Sequence, residues 1–100
     1  DRILLMDIRH PLQDYDRQML NWAAQAGLPV HILLTKSDKL KRGPAKETLH
    51  KVDSFLREMD PQITLLTVQI FSSLKKQGLP ELEAQLENWL TTKYIEVPPA

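Results

Sequence analysis

The 100-residue chain has no cysteine, which excludes disulfides and every thiolate metal site. It has no surplus of either charge: thirteen Lys and Arg balance thirteen Asp and Glu. The chain as a whole therefore lacks the basic excess that marks most nucleic-acid-binding proteins, though not the possibility of a local basic patch. No apolar stretch approaches the ~18 residues of a membrane span, so no membrane partner is expected. No signal peptide, internal repeat or low-complexity segment is visible. An initiator Met is also missing: the chain opens Asp1-Arg2 and runs straight into an apolar stretch, as expected of a piece of a longer protein. The absence of cysteine is compatible with a reducing cytosol, and a cytoplasmic location is expected.

What remains is an ordinary globular composition, 42% hydrophobic and 26% charged, enough for one domain with a modest core. Residues 2–8 (R-I-L-L-M-D-I) read as a buried parallel strand, broken by Pro11. From residue 12 to 26, Leu12, Tyr15, Met19, Trp22, Ala23 and Ala26 recur at helical spacing, with Asp14 as the expected cap and Gly27 as the stop. Residues 29–35 form a second strand and 36–43 a polar loop. Pro44 is expected at the first position of a helix carrying Ala45, Leu49, Val52, Phe55, Leu56 and Met59 on one stripe. Asp60-Pro61 ends it. Residues 64–71 read as a third strand, and residues 80–91 as a last helix opened by Pro80. The order β-α-β-α-β-α with short loops predicts an α/β fold: a three-layer parallel sheet with helices on both faces. Ligands on such sheets bind outside the carboxyl ends of the strands. The chemically interesting groups lie there, in the loops 7–11, 35–41 and 72–78.

At the end of the second strand stand Thr35, Lys36, Ser37 and Asp38, T-K-x-D, the pattern by which GTPases read guanine. A carboxylate can accept both the N1–H and the exocyclic amine of guanine, a donor pair that adenine lacks. Four residues are a weak match alone, since Lys and Asp are common in turns. The second half of such a site follows the third strand: Phe71-Ser72-Ser73-Leu74-Lys75-Lys76-Gln77-Gly78.

Two resemblances compete for these residues. Residues 4–14 (L-L-M-D-I-R-H-P-L-Q-D), an Asp ending a strand with a Pro four residues later and another Asp, resemble the phosphoacceptor motif of response-regulator receiver domains, and residues 28–38 (L-P-V-H-I-L-L-T-K-S-D) continue the likeness with a strand ending in Thr, which would make the chain a phosphoacceptor or protein-interaction module. A receiver also needs an acidic pair on an earlier strand and a Lys-Pro after the third, and the chain has Lys75-Lys76-Gln77 there. The longer match, from about residue 3 to 90, joins Asp7-Ile8-Arg9-His10-Pro11, the run from Leu33 to Leu40, and F-S-S-L-K-K-Q-G. In order and spacing these resemble the EngB/YsxC/YihA family of bacterial GTPases.

That resemblance implies a partial Ras-like P-loop GTPase fold, residues 1–93 being the C-terminal half of a GTPase domain and 94–100 a flexible tail. It implies GTP or GDP with Mg²⁺ in the intact protein, the large ribosomal subunit (its RNA or proteins) as partner, and a role in ribosome biogenesis, cell division and septation. Residue by residue, it assigns guanine recognition to Asp38 and puts the stem of Lys36 along the base. The Thr35 hydroxyl would tie the strand end to the phosphate loop. The Ser73 backbone N–H would reach guanine O6, Ser72 would hold Asp38, and Leu74 would pack on the base. No G-x-x-x-x-G-K-[ST] occurs in the chain, so the phosphate cradle and the Mg²⁺ ligands are expected outside it and the chain alone is expected not to be catalytic. The cut sheet edge along residues 3–8 is expected to make the piece self-associate.

The remaining candidates have plain readings. His10, His31 and His50 share no metal-ligand spacing, and His31 is expected as a packed histidine. Asp7 is expected to cap its loop. Trp22 and Trp89 read as core or partner surface. Lys36, Lys39, Lys41, Arg42, Lys75 and Lys76 gather on two loops at one sheet edge, as a solvated face or, in a ribosome-assembly factor, as a contact to RNA phosphates.

Overall fold

A computed structural model describes residues 2–95. Three parallel strands, β1 (Arg2–Asp7), β2 (Val30–Thr35) and β3 (Leu66–Ile70), lie in the order β1-β2-β3. The helices α1 (Asp14–Ala26), α2 (Arg42–Met59) and α3 (Leu79–Ile95) alternate with them, and a single 3₁₀ turn (Ser37–Lys39) follows β2. The register pairs Leu4 with Ile32 and Ile32 with Val68, so one pleat alternation runs across the whole sheet.

That alternation sorts the side chains. Leu4, Met6, Val30, Ile32, Leu34 and Leu66 share one core with Leu20 and Ala23 of α1 and with Ala45, Val52 and Leu56 of α2. Both helices therefore cover the same face. The opposite face carries Ile3, Leu5, His31, Leu33, Thr67 and Gln69. Over its β2–β3 half, α3 lies with the Trp89 ring edge-on to His31 at 6.5 Å. Leu33 is only 4% exposed, whereas its β1 neighbour Leu5 is 63% exposed. The third layer thus covers part of the sheet and leaves the β1 edge bare, giving the expected three-layer α/β class with helices on both faces.

Several boundaries differ from the expected ones, each for a local reason. The cap of α1 is Gln13, not Asp14; its backbone N–H donates to the buried carboxylate of Asp16 at 3.0 Å, after Leu12 turns the chain at φ 55°. Pro44 sits in the first turn of α2 rather than at its first position. Arg42 and Gly43 precede it, since first-turn N–H groups have no helical acceptor to lose. For the same reason α3 starts at Leu79, one residue before Pro80, and it continues past residue 91 to Ile95. Residues 96–100 of the expected tail lie outside the described residues.

The third strand starts at Leu66 rather than residue 64, because Asp60 captures the preceding backbone. Its carboxylate accepts from the N–H of Thr64 (3.1 Å), Leu65 (2.7 Å) and Leu66 (2.8 Å) and from the Thr64 hydroxyl (2.7 Å). Burial alone would push its pKa up. The backbone donors of Leu66 and Leu65, with both Thr64 groups, outweigh that and hold it far below the usual carboxylate range. Arg57 closes the same turn, donating to the Asp60 and Leu66 carbonyls. No helix among the described residues is long and apolar enough to cross a membrane.

Candidate functional site

The carboxyl ends of β2 and β3 lie side by side, so their loops start in contact. The Phe71 N–H donates to the Leu34 carbonyl at 2.9 Å, and the Ser37 N–H to the Phe71 carbonyl at 3.3 Å. Lys36 then takes a left-handed conformation (φ 60°), which swings the chain into the 3₁₀ turn and presents Asp38.

The second loop is a closed ring. Ser72 and Gln77 exchange two backbone hydrogen bonds of 2.9 Å, leaving residues 73–76 as the turn between them. Lys76 sits at φ 55° and Gly78 at φ 83°. A Cβ on Gly78 would come within 2.1 Å of the Ile70 carbonyl oxygen, so glycine is required at that closure.

The two loops are joined by side chains. The fully buried Ser72 donates its hydroxyl to Asp38 Oδ1 at 2.9 Å and accepts the Lys75 N–H at 3.2 Å. Ser37 donates to Gln77 Oε1 at 2.7 Å. The Ser72 hydroxyl, seconded by the charges of Lys39 and Lys75, lowers the Asp38 pKa against the effect of partial burial. Asp38 therefore stays ionised through the neutral range, an acceptor that is held in place. Ser73 and Leu74 stand exposed at the tip of the second loop, Leu74 at 77%.

Behind that loop, on the α3 face, a buried polar chain supports it. Gln69 donates its amide to the Gly78 carbonyl at 2.6 Å and to the Ile70 carbonyl at 3.2 Å. Its Oε1 is thereby left as an acceptor, 2.6 Å from His31 Nε2, so His31 carries its proton on Nε2. His31 Nδ1 then accepts from the Thr67 hydroxyl, also at 2.6 Å. Burial lowers the His31 pKa, opposed by the bond to Gln69, and the ring is neutral at pH 7.

The third loop contributes charge. Asp7 accepts from Arg9 three times, at 2.8–3.0 Å, from its backbone N–H and its guanidinium. Lys36 Nζ lies 3.7 Å from the same carboxylate. The Arg9 side chain and backbone N–H hold the Asp7 pKa far below the usual carboxylate range. Thr35 donates its hydroxyl to the Met6 carbonyl at 3.2 Å, tying β2 to β1.

Of the sequence-predicted residues, Thr35, Lys36, Asp38, Ser72, Ser73 and Leu74 all lie at this one edge, and Asp38 and Ser72 touch. Ser37, Gln77 and Gln69 had no assigned role, although they are what locks the loops together. Ser37 and Gln77 stand inside the two motifs, and their place there was the available signal. Gln69 and His31 gave none, because their pairing depends on the strand register. Among the described residues no three His, Asp or Glu side chains converge on a metal position.

No family model matches the chain. Curated proteins do. A probable GTP-binding protein EngB of Pseudoalteromonas translucida (strain TAC 125) is 47% identical over 98 residues, 98% of this chain and 43% of that protein. A protein of the same description from Methylobacillus flagellatus is 48% identical over 98 residues, 98% of this chain and 46% of that protein. Another, from Azoarcus sp. (strain BH72), is 52% identical over 95 residues, 94% of this chain and 44% of that protein. The chain spans less than half the length of these relatives.

Proposed function

Because this chain belongs, over the segment it spans, to the EngB family, we propose that it is the guanine-recognising half of a GTP-binding domain. The observation that carries this reading is the bond from buried Ser72 to Asp38 Oδ1. It fixes an ionised carboxylate at the carboxyl edge of a parallel sheet. Asp38 has further acceptor capacity for the N1–H and amine of guanine, and Oδ2 makes no side-chain hydrogen bond among the described residues. Orienting such an acceptor in advance reduces the ordering cost of binding. The exposed Ser73 N–H would serve guanine O6, and Leu74 at the tip would cover the base. Lys36, drawn toward Asp7, would lay its methylene stem beside it.

In the intact protein the same reading supplies GTP binding and hydrolysis, with Mg²⁺ and the phosphates held by residues outside this chain. Assembly of the large ribosomal subunit in the cytoplasm is the process it points to, with cell division and septation depending on it. The chain by itself should neither hydrolyse GTP above background nor bind it tightly, because phosphate contacts carry much of the affinity in such proteins.

Calorimetry on the full-length protein tests the reading. GDP is expected to bind far more tightly than ADP. Asp38→Asn should weaken GDP by at least about 100-fold, since paired charge-assisted bonds are lost, and favour xanthosine diphosphate, whose carbonyl can accept from the new amide. Unchanged GDP affinity in the variant would remove Asp38 from the role.

A further inference from the structure

β3 is an edge strand, and its outer side is open over a short, defined length. The ladder bonds at its two ends, Val30 N–H to the Leu65 carbonyl and Phe71 N–H to the Leu34 carbonyl, turn the backbone groups of residues 65, 67, 69 and 71 toward β2. Those of Leu66, Val68 and Ile70 therefore point away from the sheet. Both ends of that row are closed by the protein itself. The Leu66 N–H donates to Asp60 at 2.8 Å, and the Leu66 carbonyl accepts from Arg57. The Ile70 carbonyl accepts from the Gln69 amide at 3.2 Å. Among the described residues this leaves the Val68 N–H and carbonyl and the Ile70 N–H without a partner. The strand, L-T-V-Q-I, carries none of the charges or prolines that usually guard such an edge.

The open segment lies beside a groove of about 410 Å³ between β3 and α2, lined by Leu49 and Val68 with Lys46, His50 and Asp53. Val68 stands on the face of the sheet that α2 covers, in register with Ile32. Its side chain and that of Leu49, both half-buried, give the groove an apolar wall. The charges are graded along it. Asp53, at the Leu66 end, is drawn to the Arg57 guanidinium at 3.4 Å. Lys46, at the Ile70 end, is exposed and forms no ion pair among the described residues. The uncompensated charge of the groove is thus positive and sits at one end.

We infer that this edge binds an extended peptide segment, added to β3 as an antiparallel fourth strand, with an acidic side chain two residues before an apolar one. Antiparallel addition is the more stable pairing, and it lets the peptide residue opposite Val68 exchange two backbone bonds with it. The carbonyl of the residue opposite Ile70 then accepts the Ile70 N–H. Strand residues two apart share a face. An apolar side chain opposite Val68 therefore falls between Val68 and Leu49, and an acidic one opposite Ile70 falls beside Lys46. In the antiparallel sense the acid comes first. A second copy of the chain fits less well. Pairing β3 with itself about Val68 sets each Ile70 N–H against a Leu66 carbonyl that Arg57 already holds. None of the groove residues belongs to the guanine site, so the inference stands apart from that reading.

The test is fluorescence anisotropy with the full-length protein and the end-labelled peptide S-T-T-E-T-L-T-T-S. Saturable binding is expected below about 1 mM, the range of a few backbone bonds and one buried side chain. The reversed sequence, S-T-T-L-T-E-T-T-S, should bind at least about threefold more weakly, because its acid falls toward Asp53 instead of Lys46. Val68→Pro removes an edge N–H without breaking a bond to β2 and should weaken binding about tenfold. Lys46→Glu should weaken the acidic peptide about threefold and favour S-T-T-K-T-L-T-T-S, an exchange of preference that a folding defect does not produce. Lys46→Arg should leave binding unchanged. GDP affinity, unaltered in these variants, shows that they are folded; if Val68→Pro fails to bind GDP, the Lys46 exchange decides alone. No saturable binding by the wild type, equal binding of the reversed peptide, or affinity that a folded Val68→Pro or Lys46→Glu leaves intact would each overturn the proposal.

Discussion

The hydroxyl of Ser72 and the carboxylate of Asp38 meet at 2.9 Å although 34 residues separate them in the chain. The bond joins two loops that leave adjacent parallel strands at the same edge. Ser72 is wholly buried, so its hydroxyl has no water to turn to and the pair holds. Ser72→Ala removes the anchor without changing the acceptor. In the full-length protein GDP should bind about tenfold more weakly, with a smaller change in thermal stability, as read by calorimetry and by the unfolding midpoint. Unaltered GDP affinity would mean that Asp38 is oriented by its own turn alone.

Gly78→Ala is expected to be severe. The residue sits at φ 83°, and a methyl there would meet the Ile70 carbonyl at 2.1 Å and the Gln69 amide at 2.8 Å. Backbone strain and the broken Gln69–Gly78 bond together should cost about 2–4 kcal/mol in urea unfolding. A variant as stable as the parent would show that the loop closes in another way.

Stability should fall in acid through Asp60. Its folded pKa lies well below its unfolded value near 4, so the folded state holds fewer protons there. The contribution is complete above about pH 5 and is lost as pH drops through 4 toward the folded value. Asp60→Asn should lower the unfolding midpoint at pH 7 by about 5–10 °C and flatten the acid dependence. Two parallel pH curves for parent and variant would argue against this.

The β1 edge predicts association. Nothing among the described residues pairs with β1 on its outer side, and Leu5, 63% exposed, and Ile3 line the bare half of the face that α3 covers elsewhere. Unpaired strand edges and apolar patches both promote pairing. The 100-residue chain should sediment as a dimer or larger at micromolar concentration, and Leu5→Lys should shift it toward monomer. A monodisperse monomer of the parent chain would be the contrary result.

Element order, the parallel sheet and the split between loop and core followed from local signals: β-rich apolar runs, helical stripes on residues 12–26 and 44–59, and Gly27 at a helix end. T-K-x-D and F-S-S-L-K-K-Q-G were legible for a similar reason, since each lies within a few consecutive residues. Where β3 starts was not legible, because Asp60 takes backbone donors that a strand pattern assigns to the sheet. The same holds for the Thr67–His31–Gln69–Gly78 chain, whose members meet only through the pairing of His31 with Thr67 and the closure of the loop at Gly78. The groove between α2 and the β3 edge likewise exists only once helix and sheet are packed together. Short-range periodicity and turn chemistry act between neighbours along the chain and can be read from it. The Asp60 turn is local but overrides the strand pattern it interrupts, whereas the strand register and the partners of His31 and Asp38 depend on residues some 30 or more positions apart and are decided by packing.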